Sequence, residues 1–151
     1  MVQLKRNIIA AVQVLTVIFF CSGFQQPEAI YQTLHGTVLF RSEAPLELIS
    51  ASSNELIALF DKDKKSFGFK INMRSFQGFN SPLQKEHFHE NYMESDKFPE
   101  ASFRGKIIED LDLNINGVYQ VRAKGALSIH GISTERIIKS SITVSNKKVT
   151  I

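Results

Sequence analysis

The chain has 151 residues, 43% of them hydrophobic and 10% aromatic, with a single cysteine and a formal charge of +3. This is ample for one core and short for two domains. The charge falls to about +1 once Lys5 and Arg6 leave with the leader described next, which excludes a nucleic-acid signature.

Lys5 and Arg6 precede the apolar run Ile8 to Phe20, broken only by Gln13 and Thr16, and small residues Ser22 and Gly23 follow. The pattern predicts a secretory signal peptide over residues 1–23, cleaved near Gly23, and a periplasmic or secreted product. A run of about 13 residues is short of the roughly 20 that a spanning helix needs, so an uncleaved anchor is the weaker alternative. Phe19 and Phe20 before Cys21 lack the small residues of a lipoprotein site. With the leader gone no cysteine is left, and the domain must hold itself by packing alone.

Beyond Thr33 the chain alternates. Strands are predicted at 37–42 and 46–51, on either side of a bend at Ala44-Pro45, and at 55–60, ended by the solvated turn Asp61 to Lys64. In 66–74 Phe67, Phe69, Ile71 and Met73 share a face opposite Gly68, Lys70, Asn72 and Arg74, making this the clearest strand. One short helix is predicted around residues 82–91. Ser81 caps it, Gln84 can complete a capping box, Pro82 fills the first position, and the stop falls near Ser95 ahead of Pro99. Leu83, His87 and Asn91, with Phe88 and Tyr92 beside them, are predicted to face inward as a plug or lid.

Strands follow at 101–109, 118–129 and 136–144, with a hairpin signal at Asn116-Gly117, a turn at Gly131 and a stub at 149–151. Seven strands plus the stub predict an all-β antiparallel barrel, favoured over a sandwich. Gly68, Gly105, Ala123 and Gly125 relieve the large inward residues and are expected to leave room, so the interior could be filled or hold one small ligand.

The segments Gly78 to Ile107, Val121 to Ile132 and Gly36 to Leu56 together resemble the YceI-like family of secreted bacterial proteins, with the helix, the following proline and the segment from Lys124 to Gly131 in the family's order. The resemblance implies a lipocalin-like barrel over residues 24–151 that holds a long isoprenoid lipid in the periplasm. Family members typically continue past Ile151 with strands that close the barrel. The expectation here is therefore a C-terminally truncated, incomplete barrel; a piece of a longer sequence and a partner that donates the strands stay open as alternatives. An open edge at 136–144 would favour aggregation or a dimer by edge-strand exchange.

An apolar lipid in such a barrel would touch Phe67, Phe69, Ile71, Phe76, Phe79, Phe88 and Tyr92 from the first half. Phe103, Tyr119, Val121 and Leu127 would line it from the second. For aromatics at strand spacing, plain core is the strong competing reading. His87 is read as core-facing or ligand-contacting. His130 either contacts a head group near a barrel end or anchors the hairpin turn through its ring nitrogens.

No cofactor is expected beyond a bound isoprenoid lipid. His87 and His89, two apart on a helix, point apart and cannot share an ion, so no metal site is expected. Ser128 and Ser133 near His130 lack a nucleophile-elbow pattern, and no catalytic residues are assigned. The outward bases Lys64, Lys65, Lys70, Arg74, Arg104, Lys106, Arg122 and Lys124 offer at most a weak attraction to anionic membrane surfaces. The leading expectation is a non-enzymatic lipid carrier, and the alternative is a structural or interaction protein with a filled or incomplete barrel.

Overall fold

The computed structural model describes residues 30–44, 47–146 and 148–151. The predicted leader, with Cys21, and the expected bend at Pro45 lie outside them. Among the described residues no helix is long and apolar enough to cross a membrane.

Seven antiparallel strands form one sheet in sequence order: β1 (Ile30–Ala44), β2 (Glu47–Asp61), β3 (Ser66–Asn72), β4 (Glu100–Ile107), β5 (Gly117–Ile129), β6 (Ile132–Ser145) and β7 (Lys148–Thr150). The sheet curls into a nearly closed barrel. β1 and β7 face each other across a gap without pairing, and the opening there, about 660 Å³, is bounded by Tyr31 and Thr33 on one side and Lys148 to Ile151 on the other.

The strands predicted at 46–51 and 55–60 are one continuous strand. The polar stretch Ser52 to Asn54 does not end the strand, although the register with β1 shifts there between the Gly36–Leu56 and Val38–Ser53 pairs, and its side chains find partners. The buried Ser53 hydroxyl lies 2.6 Å from that of Ser75, and Thr37 Oγ1 donates to Asn54 Oδ1 at 3.0 Å. Asn116-Gly117 is not a tight hairpin, since Gly117 only opens β5 after a long loop from Ile107. Tyr119 stabilises that loop, its hydroxyl donating to the Ile115 and Asp112 carbonyls at 2.7 and 3.1 Å.

The insertion between β3 and β4 holds α1 (Pro82–His87), which widens into a π-helical turn at Phe88–Tyr92. Ser81 Oγ accepts from Gln84 N–H at 3.1 Å, a cap worth about 1 kcal/mol. Gln84 Oε1 reaches back to accept from Asn80 N–H, also at 3.1 Å. The helical turns end at Tyr92, short of Ser95, where the chain turns through Glu94 at φ 42°.

Of the face expected to turn inward, only Phe88 does. His87 is exposed, Leu83 is exposed, and Tyr92 is 60% exposed. The buried pair is Gln84 and Phe88, one residue out of phase with the Leu83–His87 stripe. Gln84 can turn inward because its amide meets the Leu48 carbonyl as well as Asn80.

Two packed clusters lie inside the barrel. At the end where the β2–β3 turn and the β4–β5 loop meet, Phe60, Phe67, Ile107, Leu113, Val121 and Ile142 interdigitate, with Ile142 only 1% exposed. At the other end Ala51, Ile71, Met73, Phe76 and Phe88 close under the helical insertion.

Candidate ligand cavity

Between these clusters lies an apolar cavity of about 680 Å³. β3 and β4 supply Phe69, Ile71 and Phe103, whose inward direction follows from strand alternation and from the Phe69–Phe103 and Ile71–Ala101 register. β5 supplies Leu127. The helical insertion closes one end with Phe88, 3% exposed, its ring centroid 5.0 Å from Phe79, 5.4 Å from Phe40 and 6.0 Å from Phe76.

Six of the residues expected to touch a ligand therefore line this space: Phe69, Ile71, Phe76, Phe88, Phe103 and Leu127. Phe67 and Val121 sit below it in the packed cluster, beside a void of about 20 Å³. Phe79 stands behind Phe88, and Tyr119 packs at the far end of the barrel. His87 and Tyr92 lie on the outer side of the plug.

His130 occupies the β5–β6 turn at φ 52°. Its Nε2 is 2.7 Å from Glu94 Oε2, and Phe98 meets its ring edge-on at 4.7 Å. It is not among the lining residues, and it ties the chain leaving the plug to the hairpin.

Lining residues not foreseen include Phe40, Leu56, Met73, Met93 and Ile138. Alternation in 37–42 could have identified Phe40 beside Val38, whereas Met93 follows the helical turns, where no period applies.

The expectation that Gly105 and Gly125 open the interior is corrected. They face each other across β4 and β5, and a Cβ at either would meet backbone, 2.0 Å from the Lys124 carbonyl oxygen or 2.3 Å from that of Arg104. These glycines allow two strands to approach closely and add no room.

Among the described residues Lys70 is the one charged residue at the cavity wall, and its ammonium pairs with Glu100 at 2.7 Å. The His89 imidazole, against Phe88 and Phe79 and 3.0 Å from the Ser95 hydroxyl, is held below its usual pKa by burial, aided by the positive charge of Arg74 and Lys85. A neutral His89 suits a residue that fixes the plug.

At the opposite end four carboxyls are held below their usual range. Lys64 bonds Asp61 through its backbone N–H and its ammonium; the Arg122 guanidinium and N–H bond Glu109, each at 2.7 Å; Lys65 bonds Asp110; and Asn114 bonds Asp112 through its backbone and side chain. Most of the outward bases are likewise paired, Lys70 with Glu100, Arg74 with Asp96 and Lys124 with Glu135.

An antiparallel barrel with an apolar cavity capped by a helical insertion is an architecture that can be filled by side chains or hold one small ligand. The YceI-like domain family matches residues 33–150, and the chain belongs to that family. Among solved structures it is similar to a polyisoprenoid binding domain from Saccharophagus degradans implicated in plant cell wall breakdown, with a TM-score of 0.62 and 12% identity over 80% of this chain and 71% of that one. A YceI protein of Campylobacter jejuni matches with a TM-score of 0.43 and 17% identity, over 80% of this chain and 62% of that one. No curated protein matches the sequence.

Proposed function

We propose that this protein is a non-enzymatic lipid carrier that holds an isoprenoid or similar amphiphile in the cavity between its two packed clusters. The observation that carries the reading is the cavity itself, about 680 Å³ walled by phenylalanine and aliphatic side chains. Burial of hydrocarbon there is favourable by roughly 25 cal/mol per Å² of apolar surface and needs volume rather than reactive groups. The name of the Saccharophagus degradans relative, a polyisoprenoid binding domain, supports the same ligand class. The charged start, apolar run and small residues of 1–23 support export with cleavage near Gly23, and with it a periplasmic or secreted location.

Native mass spectrometry of the purified protein, followed by organic extraction, tests the reading. A stoichiometric apolar adduct is expected, and protein that is reproducibly empty after gentle purification from its own host would overturn it. The packed half of the barrel around Phe60, Phe67 and Ile142 favours a second reading, a non-catalytic structural or interaction protein with a filled barrel. An empty chain that retains a protein partner through purification is its signature.

A further inference from the structure

The outer wall of the barrel carries a surface that the cavity does not explain. β2 lies between β1 and β3, so what it exposes on the convex side belongs to the face of the sheet and to no edge. Phe60 is buried inside the barrel, and by alternation Ile57 and Leu59 turn out. Both are exposed, Leu59 by 49%. On β1, Leu39 stands outward between Val38 and Phe40, which pack inside, and lengthens the aliphatic strip.

The pairing register sets this strip beside a basic one. Leu59 lies opposite Gly68, which in turn lies opposite Arg104, and Ile57 lies opposite Lys70. Because Gly68 has no side chain, the Arg104 stem leans over β3, its Cγ 3.9 Å from where a Cβ of Gly68 would stand.

The outward positions of β3, β4 and β5 hold Lys70, Arg104, Lys106, Arg122 and Lys124, with Glu100 as their single acid. Lys106 faces Lys124 directly across the ladder, a like-charge pair that costs stability unless an anion answers it. Glu135 answers Lys124 at 3.2 Å, while Glu100 and Glu109 answer Lys70 and Arg122. Arg104 and Lys106 are exposed and have no ion pair among the described residues.

The two strips together select the occupant. An anionic bilayer presents phosphates to the bases and, a few Å deeper, acyl chains to the aliphatic side chains. A nucleic acid would leave Ile57 and Leu59 against water, and the same face of a second copy offers Arg104 and Lys106 no free carboxylate.

We propose that this protein docks on anionic membrane surfaces through the outer face of β2 to β5, with Ile57 and Leu59 seated in the interface and Arg104 and Lys106 on lipid phosphates. The docking goes beyond the carrier reading and is independent of whether the cavity holds a lipid.

Co-sedimentation of the purified full chain with vesicles tests this, using phosphatidylcholine alone and phosphatidylcholine mixed with phosphatidylglycerol. Binding to the mixed vesicles is expected, weak on phosphatidylcholine and falling as salt is raised. Lys106→Glu and the double variant Ile57→Ser/Leu59→Ser, each verified as folded by far-UV circular dichroism, should lower the partition coefficient about tenfold. Lys85→Glu makes the same charge change on the helical insertion and should leave partition unaltered. No binding to the mixed vesicles, binding indifferent to both face variants, or an equal loss with Lys85→Glu would overturn the proposal. So would a stable dimer in solution that Ile57→Ser/Leu59→Ser dissociates, because a second copy would then cover the face.

Discussion

At Gly125 the missing side chain is a structural requirement. A Cβ there would lie 2.3 Å from the Arg104 carbonyl oxygen and 3.0 Å from the Cα of Gly105, atoms of a neighbouring strand that cannot swing aside. Gly125→Ala should therefore cost about 1–3 kcal/mol, the usual penalty for overpacking a fixed site. A urea unfolding midpoint equal to that of the native protein would contradict this. Sequence periodicity shows that Gly125 is on the inner face but says nothing of the strand-to-strand distance, so the same residue reads equally well as open space. His87 illustrates a similar limit. Its spacing from Leu83 suggests one inward stripe, yet the polar Gln84 takes the buried position because backbone partners await it at Leu48 and Asn80.

Among the elements, the strands were legible and their lengths less so. Alternation in 66–72 and 118–129 is enforced by a buried face on one side and water on the other, so period two survives in the sequence, while the expected continuation to Arg74 is a 3-10 turn at Met73–Ser75. It failed at Ser52 to Asn54 because side-chain hydrogen bonds to Thr37 and Ser75 let polar residues stay within one strand across a register shift. The loop end of the barrel shows how electrostatics joins elements. Lys65 on the β2–β3 turn holds Asp110, and Arg122 of β5 holds Glu109. The folded pKa values of Asp61, Glu109, Asp110 and Asp112 lie below the unfolded reference values of 3.8 for Asp and 4.5 for Glu. Their contribution to stability is complete above those references and is lost as pH falls through the lowered folded values. Stability should thus decline on acidification below about pH 4.5, and Glu109→Gln should make that decline shallower. Unfolding midpoints collected from neutral to acid pH for both proteins check this, and parallel curves would exclude the Glu109–Arg122 link.

For the molecule as a whole, composition left a filled and a hollow barrel equally open, and the structure is both. One half is packed around Phe60, Phe67 and Ile142, and the other holds the cavity under Phe88. Phe67 is within the packed half, whereas Phe69, two along the same strand, packs on that cluster and also lines the cavity, a difference that depends on depth along the barrel and leaves no trace in residue type. Ala101 lies on the cavity wall opposite Ile71. Ala101→Trp should fill the space while leaving the ladder intact, and should lower extractable apolar ligand about tenfold, the equivalent of ~1.4 kcal/mol. Unchanged lipid content in a folded variant would place the ligand elsewhere.

Each ladder joins strands adjacent in sequence, so the wall needs no crossover connection, although β3 and β4 must pair across the whole helical insertion. Hairpins can zip from the amino end while later residues are still emerging. The plug is different: Phe88 must find Phe40 across the whole of β2 and β3. Amide protons of β2 and β3 should accordingly become protected early in refolding, with those of the plug lagging behind, so that the greasy chamber is walled before it is corked.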